Sequence, residues 1–418
     1  MSAESTHKSD RGLSSLMHIG TGYYLKYSYT ILDRLTELQI NQLTKIILVT
    51  IACSGVIGTP SLSVASAATS QVISGDTQNY REYQGFAPQM EPWEAGMVTN
   101  PMPGVFEWWY FQGQFADGSK TQINFVTKHE LDSGGPLQPS VVLGITTPNN
   151  THLGAAKNVD TNQFNAAHNT LNVTMGKSWA RGDLNTINVH VAPQNGVGAD
   201  LVFKSAAPPT RFGGSGMWYL DPSLTRISAT NDPMPFAKVQ GNLTYGGQNH
   251  KVEGTGYFDK QWGTVALNQA YDGWYWSTGH YGNYTIDILV WNGSAEYNHQ
   301  QTQDIYLAKG NGPSKVLVES MQGVNAHTSG KSIPAPGGVN TYPEVLTLQW
   351  KNGTNSATLT LTDPEVVVSR NPNTNTNASM YGYPQYLRLQ GTGTLNVLWD
   401  GSNETASAPA IWEVFYTH

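Results

Sequence analysis

From about residue 105 onward, short Thr/Val/Tyr-rich runs alternate with clusters of Gly, Asn, Asp and Pro, a pattern of strands and turns. After residue 76 no amphipathic pattern would support a helix longer than about three turns. One weak repeat stands out. The first copy is Glu107-Trp108-Trp109-Tyr110-Phe111-Gln112-Gly113-Gln114-Phe115, an Ala-Asp-Gly turn and Thr121 to Val126. The second is Gly273-Trp274-Tyr275-Trp276-Ser277-Thr278-Gly279-His280-Tyr281, a Gly282-Asn283 turn and Tyr284 to Val290. Each predicts a β-hairpin, and their recurrence predicts an all-β chain of two related antiparallel halves that close as barrels or sandwiches. In such strands Trp109 and Phe111 share one face and Trp108 and Tyr110 the other, while Trp274 and Trp276 oppose Tyr275.

The leader is different. Lys45 precedes an apolar run, Ile46 to Ile57, and Ala65-Ser66-Ala67 has the small-x-small form of a signal-peptidase site. The expectation is an exported, secreted or lumenal protein cleaved near Ala67, with anchoring by residues 46–64 as the alternative. The expected organisation is a leader over 1–75, a first β domain over 76–232 and a second over 233–418. The turn-rich Thr230-Asn231-Asp232-Pro233-Met234-Pro235 marks the junction, and residues 329–341 and 371–379 read as loops. Arg211-Phe212, before Gly213-Gly214-Ser215-Gly216, reads as a surface loop, and the glycine run lacks nucleophile-elbow spacing.

Composition narrows the function. The chain carries 12 Trp and 21 Tyr among 418 residues, enough to build two cores. A net charge of −7 without a basic stripe argues against nucleic acid. The single cysteine, Cys53, lies in the leader, which removes disulfides, Cys-ligated zinc and a Cys nucleophile from the mature chain. No cofactor or metal is expected. Sequons begin at Asn149, Asn172, Asn242, Asn283, Asn292, Asn352, Asn377 and Asn403, compatible with a glycoprotein of the secretory route.

The candidate chemistry centres on Gly254-Thr255-Gly256-Tyr257-Phe258-Asp259-Lys260-Gln261-Trp262-Gly263. Alternation sets Tyr257, Asp259 and Gln261 against Phe258, Lys260 and Trp262. An acid flanked by aromatics has a raised pKa when desolvated and can donate a proton. The competing reading makes Asp259 a turn cap or the partner of Lys260 or an Arg.

This block, with Asp232-Pro233-Met234-Pro235 and a Gly246-Gly247 turn before it and Trp274-Tyr275-Trp276 after it, resembles the lipocalin-like superfamily of hydroxyneurosporene synthase (carotenoid 1,2-hydratase) and AttH-type proteins. Within that superfamily it looks most like the lipocalin-like Diels–Alderases of fungal biosynthetic clusters. The opening Glu107-Trp108-Trp109-Tyr110-Phe111 and the closing Ala410-Ile411-Trp412-Glu413 fit too, so the resemblance spans roughly 105–418. It implies two lipocalin-like barrels with a hydrophobic ligand site. In hydratases the Asp matching Asp259 is thought to act as an acid. Many members carry His after it where this chain has Lys260, which counts against a direct transfer of hydratase chemistry.

The leading expectation is therefore a cofactor-independent pericyclase acting on a hydrophobic polyketide, polyketide–peptide or terpenoid intermediate of secondary metabolism. Such a catalyst works mainly by holding reacting groups together and polarising a carbonyl. Asp259, Lys260, Gln261 and Glu107 are the candidate catalytic groups. Trp109, Tyr110, Tyr257, Trp262, Trp274, Trp276, His280 and Trp412 are the candidate substrate contacts. The alternatives are a hydratase or lyase using Asp259 as acid, and a non-catalytic carrier of a hydrophobic ligand. The twin aromatic strands are expected to face each other as walls of one pocket.

Overall fold

The computed structural model describes residues 71–100, 103–131, 135–310, 314–337, 340–370 and 385–417. The apolar run at 46–57, the cleavage site near Ala67, the loop at 371–379 and Asn377 lie outside the described residues. Among the described residues no helix is long and apolar enough to cross a membrane.

Two antiparallel sheets organise the chain, and each is nearly continuous in sequence. The first contains β1 (Ile73–Ser74), β2 (Phe106–Phe115), β3 (Lys120–Val126), β4 (Ser140–Thr146), β5 (His152–Asn158), β6 (Phe164–Ala166) and β7 (Leu171–Met175). It continues through β8 (Ser178–Gly182), β9 (Thr186–Gln194), β10 (Val197–Ser205), β11 (Met217–Tyr219), β12 (Ile227–Tyr245) and β13 (Gln248–Gly263). The second contains β14 (Tyr271–Tyr281), β15 (Tyr284–Gly293), β16 (Gln301–Lys309), β17 (Lys315–Ser320), β18 (Val324–Pro334), β19 (Thr341–Asn352), β20 (Asn355–Arg370), β21 (Gln385–Trp399) and β22 (Ser402–Tyr416). The strand orders are β5-β4-β3-β2-β13-β12-β10-β9-β8-β7-β6 and β17-β16-β15-β14-β22-β21-β20-β19-β18. Both sheets curl: β4 and β5 come against β9 and β10, and β15 and β16 come against β18. This is a lipocalin-like β architecture of two half-barrels.

Each half-barrel has its own apolar interior. Trp109, Phe111, Phe125, Phe203 and Phe258 fill the first, with the Phe111 and Phe258 rings stacked at 4.4 Å. Tyr281, Ile286, Leu348, Leu389 and Trp412 fill the second. A third apolar cluster draws on the outer faces of both sheets, uniting Trp108, Tyr110 and Tyr257 with Trp274, Trp276, Leu289, Trp291 and Phe415. The repeated aromatic strands are thus two-sided, which explains why β2 and β15 are buried along nearly their whole lengths.

Several expectations change here. The segment 230–235 is no junction: it lies inside β12, whose register shifts between Asn231 and Met234 and again between Met234 and Ala237. The bulged backbone of Asp232 is satisfied by Thr210, which both donates to it and accepts from it. The passage from first to second sheet falls at residues 264–270. Gly246 and Gly247 do form the two-residue turn between β12 and β13, with φ of 59° and 75°, the left-handed pair that a tight hairpin of this twist requires. Residues 329–334 belong to β18 rather than to a loop. Arg211 is buried, not on a surface loop: its Nε lies 3.2 Å from Glu94. Of the sequon asparagines described, Asn149, Asn242, Asn283, Asn352 and Asn403 are exposed, and Asn172 and Asn292 are half-buried.

Candidate active site between the two sheets

Strand register decides which side chains enter the seam. Tyr110 on β2 lies opposite Asp259 on β13, Gln112 opposite Tyr257, and Trp108 opposite Gln261, so these six share one face. Trp109 opposes Lys260, Phe111 opposes Phe258 and Glu107 opposes Trp262 on the other face. In the second sheet Trp276 lies beside Glu413 and Leu289, Asp287 opposes Tyr306, Leu289 opposes Asp304, and Arg388 opposes Glu413. All of these turn toward the first sheet. The Tyr110 and Trp276 rings meet edge to face at 6.0 Å, and Tyr257 and Trp276 at 5.5 Å. The two aromatic walls therefore meet, through Trp108, Tyr110, Trp274 and Trp276.

The seam is apolar in bulk but carries acids. Asp232, Asp259, Asp287, Asp304 and Glu413 are all buried in it, against one guanidinium, Arg388. The Tyr257 hydroxyl donates to Asp232 across 2.9 Å and lies within hydrogen-bonding reach of Asp259 and Asp287. The Trp276 indole N–H donates to both Asp287 oxygens, at 3.1 and 3.3 Å. Trp108, on the same face of β2, helps hold the Asp259 carboxyl down against its burial. One Asp259 oxygen, one Asp232 oxygen and both Asp304 oxygens have no partner among the described residues. Such orphaned buried groups are uncommon in folded proteins and mark places where a ligand or a proton completes the structure. Among the described residues no group of three or more His, Cys, Asp or Glu is arranged to hold a metal ion.

Electrostatics fixes the protonation. Burial, then repulsion from Asp287 and Glu413, pushes the Asp259 carboxyl well above the usual carboxylate range. Burial and the charges of Asp287 and Asp259 do the same to Asp232 and Asp304. Burial raises Asp287 too, opposed by hydrogen bonds from Trp276, Tyr257 and Thr278. A dry seam cannot hold so many negative charges against one cation, so the cluster favours the neutral, proton-bearing forms of its acids.

Next to the acids, across Tyr110 and Trp276, stands a second polar group. Arg388 donates to Tyr110 and Gln112 of the first sheet and to Glu413 at 3.2 Å in its own. Tyr386 also donates to Glu413, at 2.5 Å, and Gln122 donates to Tyr386 at 3.3 Å. Burial raises the Glu413 carboxyl although Arg388 opposes the shift. This network joins the sheets by charge-assisted hydrogen bonds in a low-dielectric setting.

The expected site residues divide accordingly. Asp259, Tyr257, Tyr110, Trp274 and Trp276 converge in the seam. Gln261 shares their face and is half-buried. His280 stacks on Phe236 at 4.2 Å and, with Tyr257, Thr278 and Pro235, lines a cleft open to solvent of about 270 Å³ empty volume. Trp109 and Trp412 belong instead to the interiors of the first and second half-barrels. Lys260 and Glu107 are not free catalytic groups: they form a fully buried ion pair at 2.8 Å, and Lys260 also lies over the Trp262 ring. Glu107 further accepts from the backbone N–H groups of Val98 and Thr99, so the pair clamps the segment before β2. Asp259 is thus neither a turn cap nor the partner of Lys260.

No family model matches the chain. It is similar to two fungal proteins named quinolone epoxide rearrangement proteins. The match to penF of Penicillium thymicola is 34% identical over 96 residues, 23% of this chain and only 26% of that protein. The match to asqO of Emericella nidulans is 24% identical over 287 residues, 62% of this chain and 76% of that one. Among solved structures, an AttH protein of Nitrosomonas europaea superposes with a TM-score of 0.53 at 14% identity, covering 74% of this chain and 92% of that one. CghA with Sch210972 gives 0.54 at 12% identity, covering 83% and 98%. Kievitone hydratase of Nectria haematococca gives 0.51 at 15% identity, covering 74% and 88%. The chain shares the lipocalin-like fold of these structures. Within this AttH-type fold, the seam residues that composition and motif reading passed over are Asp232, Asp287, Asp304, Arg388 and Glu413. Three of them sit as lone charges in otherwise apolar strand centres, in Ile286-Asp287-Ile288, Leu387-Arg388-Leu389 and Trp412-Glu413-Val414. That interruption is the signal by which they could have been found.

Proposed function

We propose that the chain is an enzyme of secondary metabolism that starts an isomerisation or cyclisation of a hydrophobic substrate by protonating it in the seam. The observation that carries this reading is the buried Asp259 carboxyl, lying among Tyr110, Tyr257 and Trp108 with one oxygen left unpartnered. Protonation of an epoxide oxygen breaks a C–O bond and leaves a carbocation, which migrates or is captured within the molecule. A proton is then lost to the carboxylate, so the reaction is redox-neutral and regenerates the acid. Trp108, Tyr110, Trp274 and Trp276 would present ring faces to the cation, each contact contributing about 0.5–2 kcal/mol. The similarity to proteins named for epoxide rearrangement supports this class of substrate, and the fold shared with a hydratase fits the same acid used on an alkene. Entry would run through the cleft beside Phe236 and His280, which must widen to admit a substrate.

The test is turnover of a quinolone epoxide by the wild type and by Asp259→Asn, followed by chromatography and mass spectrometry. The proposal expects an isomer of unchanged mass and a loss of about 10²–10⁴-fold in kcat in the variant. Full turnover by Asp259→Asn would refute acid catalysis. The Arg388–Tyr110–Gln112 network favours a second reading, cycloaddition of a carbonyl-bearing polyene, in which these donors polarise the dienophile. There Asp259→Asn is silent and Arg388→Met is slow. A product heavier by one water would mark a hydratase.

A further inference from the structure

A second cleft reaches the seam from the side opposite Phe236 and His280. It has an empty volume of about 260 Å³, part of it open solvent. Its walls come from both sheets: Lys120 and Gln122 on β3, Thr146 on β4 and His152 on β5 face Val368 on β20 and Arg388 on β21. The floor is Arg388, which continues inward to Tyr110 and Gln112. One residue therefore belongs to both the cleft and the proposed substrate seam.

The cleft gathers positive charge. Lys120 forms no ion pair among the described residues, and its ammonium donates only to the Gly118 carbonyl, at 3.5 Å. His152 stands at the rim, and Arg370 and Arg388 are close enough to act on it. Two acids are near. Glu413 is engaged by Arg388 and Tyr386, and the exposed Glu365 accepts from Gln390 and Asn150. Burial first, then the neighbouring guanidinium groups, hold His152 below its usual range. Burial and Arg388 likewise hold Lys120 down, with Glu365 opposing. Cations crowded at a partly desolvated mouth repel one another, and an incoming anion removes that cost.

We propose that this cleft binds an oxyanion, a carboxylate or a phosphate ester, at one end of a hydrophobic substrate whose reacting group lies at the acid end of the seam. The inference rests on the seam being the substrate site and adds that the substrate is an amphiphilic acid. The seam is then polar at both ends with opposite sense: neutral proton donors at Asp259 and Asp287, cations at Lys120 and Arg388. A substrate carrying an anion is oriented by these cations, which turns its reacting group toward the proton donors. Orientation of this kind fixes which atom meets the proton donor.

The experiment is a tryptophan-fluorescence titration at low ionic strength with decanoate, decyl phosphate and decanol, using the full chain. The wild type should bind at least one oxyanion about tenfold more tightly than decanol, the gain from roughly one charge-assisted contact. Lys120→Met/His152→Gln, both at the partly exposed rim, should lose that preference while keeping decanol affinity and thermal stability. The stronger of the two oxyanion arms identifies carboxylate or phosphate ester. Equal affinities for all three probes, no binding of either anion, or a preference that survives in the double variant overturns the proposal. Because the readout is binding, its failure is separate from failure of the acid-catalysis reading, which Asp259→Asn decides by turnover.

Discussion

Tyr257 of the first sheet and Trp276 of the second pack at 5.5 Å, and each donates a hydrogen bond to a different buried aspartate, Asp232 and Asp287. The two half-barrels are thus joined at one point by aromatic contact and by control over two acids. Tyr257 donates within its own sheet, yet its hydroxyl also lies within reach of Asp287 across the seam. Removing that hydroxyl leaves the ring contact and strips the cluster of its donor. Tyr257→Phe is therefore expected to destabilise the chain by about 1–3 kcal/mol, the cost of leaving a buried acceptor unmade. Turnover should fall with KM nearly unchanged. Urea denaturation and steady-state kinetics check both outcomes; unchanged stability would mean that Asp232 is satisfied without Tyr257.

The acid cluster makes stability depend on pH in a defined direction. Burial raises Asp287 to about 7 in the folded chain, whereas an unfolded Asp titrates at about 3.9. The folded state holds this proton more tightly than the unfolded state. The contribution is therefore fully present below about pH 4 and is lost as pH rises through about 7. Asp232, Asp259 and Asp304 shift in the same direction and widen the window upward. Asp287→Asn should consequently gain thermal stability relative to the wild type on going from pH 4 to pH 8. Parallel melting curves for the two proteins over that range would show that Asp287 keeps an ordinary carboxylate pKa.

The sequence carried the all-β class, the two-sided aromatic strands and the hairpin at Gly246-Gly247, because period-2 alternation and turn glycines are local signals. It also placed Asp259 among aromatics. It offered Lys260 and Glu107 as separate candidate groups, since nothing local shows that residues so far apart in the chain form one buried ion pair. It set a junction at 230–235 because Asp-Pro reads as a turn, whereas tertiary pairing with Thr210 holds that segment as a bulged strand. Trp109 and Trp108 are adjacent in sequence, and only the pairing with Lys260 and Gln261 settles which faces the seam.

The Lys260–Glu107 pair provides a separate check on that correction. Both side chains are inaccessible, and burial pulls the Lys260 ammonium down while Glu107 opposes the shift. Lys260→Met leaves Glu107 buried and uncompensated, which typically costs about 3–5 kcal/mol. Lys260→Met/Glu107→Leu removes both charges and should recover most of that loss. Guanidinium denaturation of the single and double variants measures it. Because the pair lies on the far face from Asp259, turnover per folded molecule in the double variant should stay within about twofold of the wild type. A loss as deep as that of Asp259→Asn would instead return Lys260 to the reaction.

Trp108 and Trp412 separate binding from stability. Trp108 lies in the seam on the Asp259 face of its sheet, whereas Trp412 is enclosed by the second half-barrel's own interior. Trp108→Phe keeps an aromatic wall but removes the indole that helps hold the Asp259 carboxyl down, so it should lower kcat and move the alkaline limb of the rate profile upward. Trp412→Phe leaves a void in a closed core and should cost about 1–3 kcal/mol of stability with kcat and KM unchanged. Paired kinetic profiles and melting curves for the two variants decide the matter. Kinetic damage from Trp412→Phe without loss of stability would move the substrate site from the seam into the second half-barrel.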